Sequence, residues 1–124
     1  MRALVVDDSN TMRAVLRRIL TMRGFEVIEA KHGLDALNVL AQSGCVDVAL
    51  VDWNMPEMNG LEFVTQIRKD PSYEQMRIMM VTTETGLNEL QSALNAGATD
   101  YLMKPFNSMQ VGEKLALLGL CING

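Results

Sequence analysis

The sequence predicts an α/β domain: one doubly wound (βα)5 sandwich around a parallel five-stranded sheet in the order 2-1-3-4-5. Three observations carry that expectation. Five short apolar runs alternate with helical patterns, no connection is longer than a tight loop, and several of the runs stop at a polar or charged residue. Right-handed crossovers then place helices on both faces of the sheet. Two strand orders are common for such sheets; in the 2-1-3-4-5 order, the one taken here, strands one and three are neighbours at the switch point, where open sheets of this kind bind ligands beyond the strands' carboxyl ends.

Ala3–Val6 reads as the first strand, stopping at Asp7-Asp8, and Ser9-Asn10 offer side-chain oxygens for a helix N-cap. In that helix Met12, Val15, Leu16, Ile19 and Leu20 recur at i, i+3, i+4, i+7 and i+8, with Arg13, Arg17 and Arg18 expected to point away and Gly24 as the stop. Phe25–Ala30 is the second strand. Gly33 leads into a helix with Leu34, Ala36, Leu37 and Leu40 inward, ended by Ser43-Gly44; His32, in the loop before it, reads as solvated and without function. Val46–Val51 is the clearest strand, because a continuous apolar run suits a strand buried on both faces. It stops at Asp52 and gives way to Trp53-Asn54 and the turn-forming Met55–Gly60, with Trp53 expected half exposed.

The third helix uses Leu61, Val64 and Ile67 and must stop before Pro71. Arg77–Val81 is a fourth strand ending in Thr82-Thr83-Glu84, and Leu87, Leu90 and Leu94 mark a fourth helix closed by Gly97. Thr99–Met103 is the fifth strand, ending at Lys104-Pro105. The last helix starts near Asn107-Ser108 and buries Val111, Leu115 and Leu118, while Met79, Met80 and Met103 read as core.

The 124 residues amount to one domain of ordinary size. A net charge of -4 argues against general nucleic-acid binding and suits a cation-seeking site. No apolar run reaches the length of a membrane span, and MRALVVDD lacks the order of a signal peptide, so no membrane insertion and a cytoplasmic location are expected. Cys45 and Cys121 read as reduced packing thiols.

The strand ends bring Asp7, Asp8, Asp52, Thr82 and Lys104 to one edge of the sheet. Alone, Asp52 reads equally well as a turn-capping residue and Asp7-Asp8 as the start of a helix. Together they form a constellation. Three clustered carboxylates repel unless a cation is bound, and hard oxygens without nitrogen or sulfur suit Mg²⁺. A metal, an ammonium and a hydroxyl around a carboxylate are the parts needed for phosphoryl transfer to an Asp oxygen.

At these residues the chain resembles the response-regulator receiver domains of two-component signalling, and among them the single-domain chemotaxis regulators. The matching pieces are VVDD, VDWNMPEMNGLEF, VTTE and YLMKPF, which span the chain in order. The resemblance implies a flavodoxin-like receiver domain over residues 1–124 without an output domain, a regulator rather than an enzyme acting on an external substrate. It makes Asp52 the phosphoacceptor and Asp8 a direct Mg²⁺ ligand, with Asp7 acting largely through water and the Asn54 carbonyl completing the metal shell. Thr82 would hydrogen-bond the phosphoryl group, Lys104 would pair with it across a cis Lys104-Pro105 bond, and Tyr101 would turn inward as Thr82 moves. Asn54 and Glu84 would tune the phosphoform's lifetime.

Thr83 departs from the family's usual pattern, which is a small residue there; its branched side chain is expected to crowd the phosphoryl group, slowing hydrolysis or tightening the demands on the donor. The implied partners are a sensor histidine kinase, a target protein docked on the face of the fourth helix, fifth strand and fifth helix, and a phosphatase, with the chain a monomer. A phosphorelay intermediate or phosphate sink in another pathway is the alternative role. A haloacid-dehalogenase-type phosphatase would need a second carboxylate where Asn54 stands, and a flavin carrier would meet Asp7-Asp8 where its phosphate should sit.

Overall fold

A computed structural model describes residues 1–83 and 86–120. Among them the elements are β1 (Arg2–Val6), α1 (Asn10–Met22), β2 (Glu26–Ala30), α2 (Gly33–Ser43), β3 (Val48–Asp52), α3 (Gly60–Ile67), β4 (Arg77–Thr82), α4 (Leu87–Ala96), β5 (Asp100–Met103) and α5 (Ser108–Leu117), with a 3₁₀ turn at Pro71–Tyr73. All strand pairs are parallel and the sheet runs β2-β1-β3-β4-β5. The expected order is therefore the observed one. Register pairs Val6 with Val51, Asp52 with Val81 and Thr82 with Met103, so the residues that end β1, β3, β4 and β5 reach one edge together.

Alternation along the strands divides the core into two layers. Leu4, Val6, Ala49, Val51, Ile78 and Met80 meet α2, α3 and α4 on one face; Ala3, Val5, Val48, Leu50, Met79 and Val81 meet α1 and α5 on the other. Both faces are covered, which is why β3 is apolar without interruption. Each large side chain buried this way contributes roughly 1.5–3 kcal/mol relative to exposure. Phe63, absent from the expected core of the third helix, is fully buried on α3.

Several side chains depart from expectation. Arg13 does not point away: it is 8% exposed, because it shares a helical stripe with Leu16 and Leu20 at i+3 and i+7. Val15 and Leu34 are exposed instead of inward. On α4, whose leucines were expected only to mark the helix, the buried residue is the small Ala93, and Leu87 is 83% exposed on the expected partner face, with Leu94 also facing solvent. Leu118 falls just beyond α5 and is half-buried, as is Met103. Trp53 is 9% exposed rather than half exposed, packed into the α2–α3 layer with Met55. Cys45 is an exposed free thiol, not a packing one, and Cys121 lies outside the described residues.

His32 has a structural role. Its Nδ1 accepts the Asp35 N–H at 3.1 Å and so caps α2, satisfying one of the orphan donors of that helix. Among the described residues no helix is long and apolar enough to cross a membrane.

Candidate functional site

Each functional side chain is positioned by a strand end. Asp7 follows the last residue of β1; its N–H donates to the Ala30 carbonyl at 3.2 Å, and its Oδ1 accepts the Ser9 N–H at 2.9 Å. Ser9 in turn caps α1, accepting the Met12 N–H on its hydroxyl at 3.1 Å. The loop is thus short and tied down at both ends. Asp7 is buried and Asp8 beside it is exposed.

Asp52 ends β3, buried. The chain then folds back, with the Gly60 N–H donating to the Trp53 carbonyl at 2.8 Å. A Cβ at Gly60 would lie 2.4 Å from the Asp52 carbonyl oxygen, so only glycine permits that approach. Between them, Glu57 sits at φ 66° in a γ-turn closed by the Met58 N–H on the Pro56 carbonyl at 2.7 Å. This is a left-handed conformation that a non-glycine residue adopts only under strain. The N-cap Asn59 and Glu62 then start α3 with a reciprocal capping box.

Lys104 is delivered by the end of β5, where its N–H donates to the Thr82 carbonyl at 2.8 Å and its bond to Pro105 is cis. Its ammonium donates to Asp52 Oδ1 at 2.9 Å and stands 3.8 Å from Asp7 Oδ2. Three residues remote in sequence meet at one cation.

One carboxylate oxygen each from Asp7, Asp8 and Asp52 lie within 4.8 Å of one another. Burial pushes the Asp7 carboxyl above its ordinary range, opposed by the Ser9 N–H and Lys104 and reinforced by the Asp52 and Asp8 charges. Among the described residues, Asp7 Oδ2 is a buried oxygen without a hydrogen-bond partner. A buried acceptor left in that state asks for a further positive partner, and one lysine does not balance three carboxylates. Hard oxygen donors with an orphaned carboxylate oxygen fit Mg²⁺, which favours carboxylate and carbonyl ligands.

Thr82 is buried at the end of β4, and Thr83 next to it is exposed. Asn54 is exposed in the loop after β3. Tyr101 is half-buried on β5, its ring 4.8 Å from the Lys114 ammonium, which also pairs with Asp100 at 3.1 Å. Tyr101, Met103, Pro105, Gln110, Lys114 and Leu117 line a shallow groove between β5 and α5. Glu84 lies outside the described residues.

Sequence reasoning missed Arg13. Its Nη1 donates to the Asp7 carbonyl at 2.6 Å and its Nε to Glu29 at 3.2 Å, within hydrogen-bonding distance of the acidic loop. The signal was present in the spacing, since a residue three before Leu16 and seven before Leu20 belongs to the inward stripe.

Comparison with known proteins matches residues 3–116 to the response regulator receiver domain. The chemotaxis protein CheY homolog of Campylobacter jejuni is 49% identical over 116 residues, covering 93% of this chain and 89% of the relative. CheY1 of Helicobacter pylori is 44% identical over 119 residues, covering 95% and 96%. Among solved structures, the chemotaxis response regulator CheY4 of Vibrio cholerae superposes with a TM-score of 0.88 at 38% identity, covering 94% of this chain and 97% of that one.

Proposed function

The chain belongs to the response regulator receiver family, and on that premise we propose that it accepts a phosphoryl group from a histidine kinase on Asp52. It is a CheY-like receiver of two-component signalling, of the chemotaxis type, and receivers are signalling proteins. The observation that carries the residue assignment is the meeting of Asp7, Asp8, Asp52 and the Lys104 ammonium at one sheet edge.

In the proposed reaction an Asp52 oxygen attacks the phosphorus of a phosphohistidine, the P–N bond breaks, and an acyl phosphate forms on Asp52. Lys104, already 2.9 Å from Asp52, follows the charge onto the phosphoryl oxygens. Asp7, Asp8, Asp52 and the Asn54 carbonyl would hold Mg²⁺, the cation that this family binds in an acidic pocket and that offsets charge on the phosphoryl oxygens when bound. Thr82 hydrogen-bonds the new phosphoryl group, and Tyr101 repacks in response.

The readout is a protein contact on the α4–β5–α5 face, where the groove beside Tyr101 lies and Leu87, Met109 and Leu117 are exposed. A phosphatase resets the chain, which acts as a monomer. To move the surface from 1:99 to 99:1, phosphorylation must favour the active state by about 5.5 kcal/mol; a smaller bias leaves the target to complete the shift.

Incubation with acetyl phosphate and Mg²⁺ followed by intact mass measurement tests the assignment. One phosphoryl adduct is expected in the wild type and in Thr83→Ala, and none in Asp52→Asn. An adduct that persists in Asp52→Asn, or a wild type that forms none, overturns it.

A further inference from the structure

Arg13 is the one cation of α1 that turns inward, and it reaches three different segments. Its Nη1 donates to the Asp7 carbonyl at 2.6 Å, its Nε to Glu29 Oε1 on β2 at 3.2 Å, and its Nη2 to the Asn10 side chain in the first turn of α1. We propose that Arg13 is a positioning residue for the cation site, setting the orientation of the Asp7–Asp8 peptide and hence the reach of both carboxylates toward Asp52. This inference rests on the phosphoacceptor reading given above.

The carbonyl that Arg13 grips belongs to the peptide joining Asp7 to Asp8. Its direction governs ψ of Asp7 and φ of Asp8, so rotating it swings one carboxylate against the other. The same residue is held from its other side, because the Asp7 N–H donates to Ala30 on β2. Arg13 is itself anchored to Glu29, which the register places beside Val5, two residues before Asp7. Arg17 pairs with the second oxygen of Glu29, leaving that carboxylate little freedom to release Arg13. Both peptide groups of Asp7 are thus fastened to β2, one directly and one through a buried guanidinium.

The chemistry requires arginine. A planar guanidinium serves acceptors in several directions at once, whereas an ammonium is a point donor and cannot span a strand-end carbonyl, a helix side chain and a neighbouring strand together. Charge-assisted bonds of this kind are the stronger ones. Groups that orient metal ligands from behind typically change metal affinity by about 10–100-fold when removed.

The test uses the full chain with Mg²⁺ as the probe, titrated by calorimetry and by Trp53 fluorescence, in wild type, Arg13→Met, Arg13→Lys and Glu29→Gln. Arg13→Met is expected to raise the Mg²⁺ Kd by about 10-fold or more. Phosphorylation by acetyl phosphate should be impaired at limiting Mg²⁺ and recover toward the wild-type rate at saturating Mg²⁺, because the ligands remain and only their aim is lost. Arg13→Lys and Glu29→Gln should fall between. If Arg13→Met melts early yet binds Mg²⁺ with wild-type affinity, the residue is merely structural and the proposal is overturned. Should Arg13→Met not fold, the same criterion is applied to Arg13→Lys, where an unchanged Kd overturns it equally. A wild type that binds Mg²⁺ but forms no adduct would sink the phosphoacceptor reading and leave the Arg13 result standing by itself.

Discussion

Asp7 is a buried carboxylate with one oxygen that takes no hydrogen bond among the described residues, and its raised pKa has a consequence for stability. A folded-state value above the unfolded 3.8 means that protonation favours the fold. Without a divalent cation, the contribution of Asp7 is fully present below the unfolded value and is lost as pH rises through the folded one. Asp7→Asn should therefore raise cation-free stability at neutral pH, by about 1–3 kcal/mol on the scale of an unsatisfied buried group, and lessen the stabilisation by Mg²⁺. Urea denaturation with and without Mg²⁺ across the acid range measures both. Thr83 lies beside Thr82 with its side chain exposed at the site's edge. On the proposal that this branched side chain crowds a phosphoryl group on Asp52, Thr83→Ala should shorten the acyl-phosphate half-life severalfold, and equal lifetimes would refute it.

At the scale of elements, α3 is locked to two other segments by one side chain. Arg68 donates through Nε to the Gly97 carbonyl at 3.0 Å and through Nη1 and Nη2 to the Tyr73 and Met76 carbonyls at 2.6 and 2.7 Å. The acceptors are carbonyls, and burial lowers the Arg68 pKa below its ordinary value. Arg68→Ala should lower stability by about 2–4 kcal/mol without altering Mg²⁺ affinity, and Arg68→Lys should recover less than half, because an ammonium cannot serve carbonyls on separate segments. Denaturation midpoints paired with Mg²⁺ titration separate this clamp from Arg13. The helices also differ in how openly they announce their buried face. α5 is readable from Val111 and Leu115, both buried. α4 is not: Leu87 and Leu94 face outward and Ala93 packs inward, because a small residue allows the helix backbone close to its neighbours.

For the molecule as a whole, the acidic cluster gathers like charges whose repulsion a bound cation would relieve. At a Mg²⁺ concentration 100 times its Kd, linkage adds about 2.7 kcal/mol, enough to raise Tm by several degrees. A Tm indifferent to Mg²⁺ means that the cluster does not bind it. The same gathering of charge explains why a single lysine is placed among three carboxylates: Lys104 partly compensates Asp52 and leaves an Asp7 oxygen without a hydrogen-bond partner.

The alternation of strands and helices was legible in the chain, and once the order 2-1-3-4-5 is taken the meeting of Asp7, Asp8, Asp52 and Lys104 follows, because parallel strands bring their carboxyl ends to one edge. Apolar periodicity located the elements for the same reason, since burial on two faces demands continuous runs. What the chain did not disclose were contacts that depend on which polar groups need partners once packing is complete. The bonds of the Arg13 guanidinium to the Asp7 carbonyl and Glu29, and the His32 cap, belong to that class. A buried donor or acceptor takes whichever partner the assembled fold brings within reach, and that partner is set by three-dimensional proximity rather than by spacing along the sequence.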